Sequence, residues 1–236
     1  MSERQVIRNA RITFLLAAFA ILCFAGIAGA QEESIYPGVN DSFENPNVEE
    51  WITLLEGEER VLYNRRDDIV AVLELEPAME VADIGAGTGL FTMLFAVDVG
   101  PTGTVYAVDI AENFVNHITD TAKELGLENV KGIVNSAETT GLKENSVDVV
   151  FICETYHHFE YPSKMLASIR SALRPDGTVV LVDFERIEGI TEEFVLKMVR
   201  AGKGTFTDEF KNAGFELIEE VPFTDEHYIL KFKLRP

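Results

Sequence analysis

The sequence predicts an α/β protein with a seven-stranded, mostly parallel sheet, helices on both faces and an antiparallel final strand. Two observations predict this class. Short apolar strands alternate with helical segments from residue 80 onward, and a short polar turn joins the last two strands. Alternation makes neighbouring strands parallel, whereas so short a turn permits only an antiparallel hairpin at the sheet edge. The 236 residues, 47% of them hydrophobic, suffice for one such core.

The spacing of apolar residues places the individual elements. Two helices are expected between residues 47 and 75, where they would cap a ligand cleft. Strands are expected at 80–84, 104–108, 130–134, 147–153, 178–183, 216–221 and 228–232. Helices are expected at 90–97, 111–125, 163–172, 191–199 and near 208–213.

The first thirty residues differ in kind from the rest. Three arginines precede an uncharged stretch, 12–30, that closes with Ala28, Gly29 and Ala30. This order is typical of a secretory signal peptide with cleavage after Ala30, although the stretch is also nearly long enough to be a retained membrane anchor. The protein is therefore expected to be exported, to the periplasm or beyond the cell, or to be anchored through residues 12–30. An irregular spacer, 31–47, would follow, and then a domain spanning 48–236.

Charge and cysteine content restrict the classes of partner. The formal net charge is −20, and the sequence contains no basic patch with interleaved aromatic residues, so nucleic acid is excluded as a substrate. Beyond the leader, Cys153 is the one remaining cysteine, so no intrachain disulfide is expected.

A glycine-rich turn follows the first predicted strand. Asp83 precedes Gly85, Gly87 and Gly89, which alternate with other residues and lead into a helix at Leu90. Glycine permits positive φ and lets a nucleotide-like ligand lie against bare backbone. The dinucleotide fingerprint needs glycine or alanine where Leu90 stands, which disfavours an NAD-dependent oxidoreductase.

The second predicted strand ends at Asp109, twenty-two residues beyond Gly87. In nucleotide-binding α/β folds an acid at this place accepts hydrogen bonds from ribose hydroxyls. An aspartate here is also a common helix cap, but its register with the glycine turn favours the ligand role. Ile110 is expected either to pack on an adenine face or to belong to the core.

These features resemble a known family. The glycine turn with Asp83 resembles motif I of the class I S-adenosylmethionine (SAM) dependent methyltransferases. The segment from Asn135-Ser136-Ala137-Glu138 to Asn145-Ser146-Val147-Asp148 is similar to one in ubiquinone/menaquinone-type methyltransferases. The resemblance covers about residues 69–183 and is at the level of family rather than substrate. It implies a Rossmann-like fold, SAM as cofactor and a small-molecule methyl acceptor.

The resemblance also implies roles for individual residues. The glycine turn would hold the amino acid portion of SAM, and Glu154 would lie near the same portion. Ser136 replaces the aspartate usually expected at the adenine amino group, a role that Glu138 could take over. The implied cofactor-binding residues are Asp83, Gly85, Ala86, Gly87, Gly89, Asp109, Ile110, Ser136, Ala137, Glu138 and Glu154.

The loop after the fourth strand is dense in ionisable and aromatic groups. By the resemblance, Tyr156, His157 and His158 line the acceptor pocket, and either histidine could act as a general base for an acceptor that must lose a proton. In the alternative interpretation one histidine packs in the core and the other faces solvent. A metal site is not expected, because adjacent side chains rarely converge on one ion. Asp183, which ends the fifth strand, is expected near the acceptor.

Two functions from different classes fit these patterns. The first is an exported SAM-dependent methyltransferase that acts on a small-molecule nucleophile. The second is a catalytically silent module of the same fold that binds a ligand or a protein outside the cytoplasm. The second hypothesis arises because SAM is made in the cytoplasm, whereas the leader would send this domain away from it.

Overall fold

A computed structural model describes residues 33–189 and 191–236. The predicted signal or anchor, 1–30, lies outside the described residues. No helix in the described part of the chain is both long and apolar enough to cross a bilayer.

The described residues contain one seven-stranded sheet with the order β3-β2-β1-β4-β5-β7-β6. Neighbouring strands among β1 to β5 pair in parallel, whereas β7 lies antiparallel between β5 and β6. This topology confirms the predicted sheet with its reversed final strand. The strands are β1 (Glu80–Ile84), β2 (Thr104–Asp109), β3 (Val130–Val134), β4 (Val147–Cys153), β5 (Leu173–Phe184), β6 (Phe215–Val221) and β7 (His227–Leu234).

Successive side chains of each strand point to opposite faces of the sheet, and both faces are apolar. Helices therefore cover both faces, and the buried side chains form two clusters. On β4, Val150 and Ile152 join one cluster with α6 and α8, while Val149 and Phe151 join the other with α3 and α4. The helices are α1 (Val48–Leu55), α2 (Val61–Asn64), α3 (Arg66–Val72), α4 (Leu90–Val99), α5 (Glu112–Glu124), α6 (Pro162–Ala172), α7 (Glu193–Met198) and α8 (Lys203–Asn212).

The three largest differences from the predicted elements concern the helices before the sheet, β5 and α8. The two helices expected before the sheet are three, because the chain leaves helical geometry between α1 and α2 and again at Arg65, where φ is −110°. β5 begins at Leu173, five residues early, since an irregularity in its pairing with β4 accommodates the predicted turn. α8 begins at Lys203, because Gly202 in an extended conformation starts the helix there.

The described part of the predicted spacer, 33–47, is irregular except for a short 3-10 helix at Asp41–Phe43. It packs against the loop that follows β4. The Asn40 amide donates to the His158 carbonyl (3.2 Å) and to Glu160 Oε1 (3.1 Å). Turn-forming residues predict irregular backbone, but they carry no information about which distant segment that backbone will contact. This segment therefore helps to build the site described next.

Candidate active site

A cavity of about 530 Å³ opens at the carboxyl ends of the parallel strands. Residues that follow β1, β2, β3, β4 and β5 all contribute to its wall, and the segment 36–60 covers it. Ligands of open α/β sheets bind at this edge, near the point where strand order reverses. The volume is within the range of sites for small molecules and cofactors.

Two hydrogen bonds fix the glycine turn to the neighbouring strand β2. The backbone N–H groups of Gly85 and Ala86 both donate to the Val108 carbonyl (2.8 and 3.2 Å). A Cβ would meet a different environment at each of the three glycines of the turn. A Cβ at Gly85 would lie 2.2 Å from the Thr155 side chain, and one at Gly89 would lie 2.7 Å from Ile118.

Gly87 is different, because it has φ of +54° and the nearest atom to a Cβ there is 3.7 Å away on Leu55. Gly87 lines the cavity together with Gly85. Gly87 is therefore the position where bare backbone is available to a ligand, whereas packing alone accounts for the other two glycines.

Asp109 faces the cavity, as predicted. Its Oδ2 accepts a hydrogen bond from the Gly87 N–H (2.9 Å), and its Oδ1 accepts one from the Ala111 N–H (2.9 Å). Burial raises the pKa of this carboxyl above its usual value. Each carboxylate oxygen has a further lone pair, so Asp109 can hold the turn and still accept from ligand hydroxyls.

The segment after β3 contributes only one of its three predicted residues to the cavity wall, Ala137, together with Asn135, which was not predicted. Asn135 and Ala137 line the cavity together with Ile110. Ser136 Oγ instead accepts from the Glu138 backbone N–H (3.3 Å), and Glu138 forms a half-exposed ion pair with Lys164 (2.8 Å). Neither side chain belongs to the cavity wall, which corrects the roles expected for them.

Asn135 was not among the predicted cofactor-binding residues, although it is the first residue of the segment that carries the resemblance. Its Oδ1 is buried and has no hydrogen-bond partner among the described residues. The amide nitrogen donates to the carbonyls of Ser136 (3.0 Å) and Thr139 (3.1 Å), which fixes the amide plane. A preoriented acceptor of this kind suits an amino group of a ligand.

Asp83 lies beneath the turn and not at the cavity wall. It is buried and accepts a hydrogen bond from the Thr92 hydroxyl (2.6 Å). Burial raises its pKa to about 7, the Thr92 hydrogen bond opposes the shift, and the nearby Asp109 charge adds to it. Asp83 therefore supports the turn from below. Ala86 and Gly89, within the turn, likewise do not line the cavity, which corrects the cofactor contacts expected for all three residues.

Glu154 directly precedes Thr155, whose side chain is close to Gly85 of the glycine turn. Glu154 has φ of +46° and lines the cavity. One oxygen, Oε2, forms an ion pair with Arg60, and the other, Oε1, accepts a hydrogen bond from His227 Nε2 (2.8 Å). Arg60 and His227 are 94 and 73 residues away in sequence, so no local pattern could have indicated either contact.

His157 is held by Asp183 with one ring nitrogen left available. Its Nδ1 lies 2.8 Å from Asp183 Oδ1, and both residues are buried. The backbone N–H groups of His157 and Phe184 donate to the same carboxylate. A carboxylate on Nδ1 fixes the tautomer that leaves Nε2 as the acceptor. His157 Nε2 is buried without a partner among the described residues, and His157 lines the cavity.

His158 also lines the cavity but has different chemistry. Burial, followed by the neighbouring His157, lowers its pKa to about 4. The His158 ring packs edge-on against Phe43, with a centroid distance of 5.1 Å. His158 is therefore neutral at pH 7 and a weak base, and the structure favours His157 over His158 as the proton acceptor.

Tyr156 lies in the core and not in the acceptor pocket, which corrects the predicted catalytic role. Its side chain is fully buried, and its hydroxyl donates to Glu209 Oε2 (2.7 Å). Arg200 also binds Glu209, and the Tyr156 ring packs against Phe206 and Phe210 of α8. The short 3-10 helix Tyr156–His158 directs consecutive side chains to different sides, so its three residues do not share one surface.

The substitution Tyr156→Phe is expected to lower the free energy of unfolding by about 1 kcal/mol, because one buried hydrogen bond is lost while Arg200 still pairs with Glu209. The affinity for SAM should not change. Urea unfolding and calorimetric titration measure the two quantities. An unchanged stability together with a tenfold loss of SAM affinity would contradict the placement of Tyr156 in the core.

The rest of the cavity wall is mainly apolar. It is provided by the 33–47 segment, α1, the loop after β4, the end of β5, α6 and α7, and it includes Phe43, Trp51, Phe159, Met165, Phe184, Phe194 and Met198. Among residues 33–189 and 191–236, no three His, Cys, Asp or Glu side chains are grouped as metal ligands.

Comparison with known proteins agrees with this geometry. Residues 82–181 match the family model of a methyltransferase domain. Over 118 residues the chain is 30% identical to the ubiquinone/menaquinone biosynthesis C-methyltransferase UbiE of Burkholderia cenocepacia. That alignment covers 50% of this chain and 48% of the relative, so the chain spans about half the length of the curated relatives it matches.

Solved structures show the same fold. A SAM-dependent methyltransferase from Aquifex aeolicus aligns with a TM-score of 0.71 at 22% identity, covering 80% of this chain and 100% of that one. The [4+2]-cyclase SpnF aligns with a TM-score of 0.65 at 15% identity, covering 73% of this chain and 81% of that one. The fold therefore occurs in proteins of different activity.

These comparisons support a SAM-dependent methyltransferase and imply S-adenosyl-L-methionine as the cofactor. The match to the methyltransferase-domain model is confined to residues 82–181, and the similarity to the UbiE C-methyltransferases covers half of the chain.

Proposed function

We propose that this protein transfers a methyl group from SAM to a small-molecule nucleophile, with His157 as the general base. The observation that carries the proposal is one cavity lined by both a bare-backbone turn at Gly87 and the unpaired Nε2 of a carboxylate-held histidine. A fold alone does not assign a reaction, so the proposal depends on the chemistry of these side chains.

The described residues fit SAM by the chemistry they present. Gly87 leaves room for a ligand against the backbone. Asp109 has free lone pairs for ribose hydroxyls, and the unpaired Asn135 Oδ1 suits the adenine amino group. Glu154 suits the ammonium of the amino acid portion. SAM supplies a methyl group on a positively charged sulfur, which is a strong leaving group.

In the proposed reaction, the residues of this chain align the acceptor with the methyl group and remove a proton from the acceptor. The apolar wall holds the acceptor and excludes water, so its nucleophilic atom can approach the methyl carbon in line. His157 Nε2 takes the proton of the nucleophile as the new bond to carbon forms. The Asp183 carboxylate stabilises the resulting imidazolium, and the proton later leaves to solvent.

Calorimetric titration with SAM tests the binding half of the proposal. The substitution Gly87→Ala is expected to weaken SAM binding at least tenfold, because its methyl group would face the cavity. Gly126→Ala is the matched control: φ is +74° and nothing lies within 4 Å of the added Cβ. Both changes should lower the free energy of unfolding by about 1 kcal/mol, but Gly126→Ala should leave the affinity unchanged. No binding of millimolar SAM by the unmodified protein would refute the proposal.

Methyl transfer to a panel of thiols, phenols and amines tests the catalytic half. Methyl transfer to any compound of the panel supports the proposal that the protein is a methyltransferase. SAM binding without transfer would favour the silent module. The [4+2]-cyclase SpnF, which has the same fold, is a precedent for a different chemistry on this fold.

We also propose that residues 1–30 export the domain or anchor it to a membrane. The support is the sequence pattern alone: three arginines, an uncharged stretch and a small-residue cleavage site. Sequencing the amino terminus of the protein from separated cell fractions tests this. Gln31 as first residue in a soluble exported fraction indicates cleavage, an intact leader in the membrane indicates anchoring, and an intact soluble cytoplasmic protein contradicts both.

A further inference from the structure

We propose that the opening of the cavity docks on the surface of a lipid bilayer without net charge, through the side chains of Ile35, Leu54 and Phe194. These three residues are called the apolar rim. Docking of the rim is separate from methyl transfer, but the choice of a bilayer as the partner rests on the proposed leader.

The apolar rim lies at the opening of the cavity. Leu54 in α1 is 56% exposed and Phe194 in α7 is 60% exposed, although both line the cavity. Side chains that line a cavity and are more than half exposed must lie where it opens. Ile35 is 50% exposed and close to α7, because the next residue, Tyr36, lines the cavity and donates its hydroxyl to the Lys197 carbonyl (3.2 Å). Three separate elements therefore bring apolar side chains to one opening.

The outward position of Phe194 is fixed by the next residue of α7. Val195 is buried in the apolar core. Consecutive side chains of a helix point about 100° apart, so the burial of Val195 keeps Phe194 outside. Behind the rim the cavity wall continues with Phe43, Trp51 and Met198. The exposed apolar surface is therefore continuous, and continuous surfaces of this kind mark interaction sites, whereas scattered apolar residues do not.

The chain that precedes the rim indicates the partner. The described residues begin at Glu33, and the Ile35 N–H donates to the carbonyl of Glu160 (3.0 Å), which lines the cavity. Ile35 follows Ala30, the last residue of the uncharged stretch 12–30, by five residues, which extend over at most about 17 Å. A bilayer that held this stretch would therefore lie within reach of the rim.

Charge restricts the kind of bilayer. The exposed residues next to Phe194 and after α1 are acidic: Glu58, Glu59, Glu192 and Glu193. The formal net charge of the chain is −20. An anionic lipid surface would repel these carboxylates, so apolar contact with a zwitterionic lipid is expected to supply the affinity.

Trp51 can report docking, because it is the one tryptophan in the sequence and precedes Leu54 by three residues in α1. Bromine on the acyl chains of a lipid quenches tryptophan fluorescence only at close range. The full chain, with residues 1–30 retained, is reconstituted into phosphatidylcholine vesicles with or without bromine near the carbonyl end of the acyl chains. Trp51 emission should be about twofold lower with bromine. Phosphatidylglycerol in the vesicles should weaken the quenching.

The combined substitution Leu54→Ser and Phe194→Ser should abolish the quenching, because the rim no longer enters the acyl region while the leader still holds the chain in the vesicles. Ile218→Ser is the matched control and should leave the quenching unchanged. Ile218 is 43% exposed on the outer strand β6 and does not line the cavity.

A second control moves the fluorescent residue to the opposite edge of the sheet, by combining Trp51→Phe with Val97→Trp. Val97 is 65% exposed near the end of α4, where the Val99 carbonyl accepts from the Ala78 N–H (2.9 Å) just before β1. The emission of this protein should not differ between the two kinds of phosphatidylcholine vesicle.

Vesicle-bound protein whose Trp51 is not quenched, or whose quenching survives the rim substitutions, would overturn the docking of the rim. Equal quenching in the Val97→Trp protein would also overturn it, since the domain would then contact lipid without a preferred side. Protein that stays in solution would contradict both the docking and the proposed leader. None of these outcomes depends on SAM binding, which calorimetry measures separately.

Discussion

A His157→Asn protein is expected to transfer methyl groups two to four orders of magnitude more slowly than the unmodified enzyme, with the affinity for SAM changed less than about twofold. Asparagine is polar and fits the space, but it cannot take a proton from the acceptor. The rate should be measured as kcat with whichever acceptor of the panel is methylated, and SAM affinity by calorimetry. The loss should appear in kcat rather than in cofactor binding, because in the proposed function His157 acts on the acceptor and makes no contact that holds the cofactor.

Two further variants make this prediction specific. Asp183→Asn should lower kcat by a similar factor, because an amide can donate to His157 Nδ1 and so favour the wrong tautomer. His158→Asn should lower it less than tenfold, since His158 has a pKa of about 4 and is not the base. A His157→Asn enzyme that keeps its rate, or a larger loss in His158→Asn, would remove His157 from the mechanism.

The second large effect concerns stability, and it comes from Asp83. Its pKa is raised to about 7 in the folded protein from a reference value of 3.8. Between these values the folded state holds a proton that the unfolded state has released. The contribution of Asp83 to the free energy of unfolding should therefore fall by about 1.4 kcal/mol per pH unit as pH rises from 4 to 7, or by up to about 4 kcal/mol, and level off above pH 7.

Asp83→Asn isolates this contribution, because the amide does not titrate and its oxygen can still accept from Thr92. The difference in unfolding free energy, variant minus unmodified protein, should rise from pH 4 to pH 7. Urea unfolding at several pH values measures it, and other titrating groups cancel in the difference. Asp98→Asn, at an exposed position of α4, is the control and should give a flat difference. A flat difference for Asp83→Asn as well would mean that burial does not perturb this carboxyl.

The sequence alone predicted the fold well because its signals are local. Strand and helix periods, and a hairpin turn too short for a crossover, were enough for the seven-stranded sheet with its reversed final strand. They also predicted the edge at which ligands bind, since the carboxyl ends of parallel strands lie on one side. Gly87 and Asp109 could be named because each occupies a fixed position relative to the end of a strand, whereas His157 was named by the family resemblance; all three line the cavity.

The direction of neighbouring side chains within a loop was predicted less well. Tyr156 and His157 are consecutive, yet one packs under α8 and the other faces the cavity. Ser136 and Ala137 differ in the same way. A strand alternates its side chains regularly, but a 3-10 turn or an irregular loop has no such period, so composition indicates a site without indicating which residue of it points inward.

What the sequence determined by itself is the sheet and the glycine turn, because these follow from the order of residues along short stretches, whereas SAM as the cofactor was implied by the family resemblance. Only the tertiary structure decided that residues 36–60 cover the cavity, that Asp183 holds His157, and that Arg60 pairs with Glu154. The physical reason is that these contacts join residues far apart in the chain. Their free energy depends on burial and on the geometry of the partner, and neither is determined until the whole chain has folded.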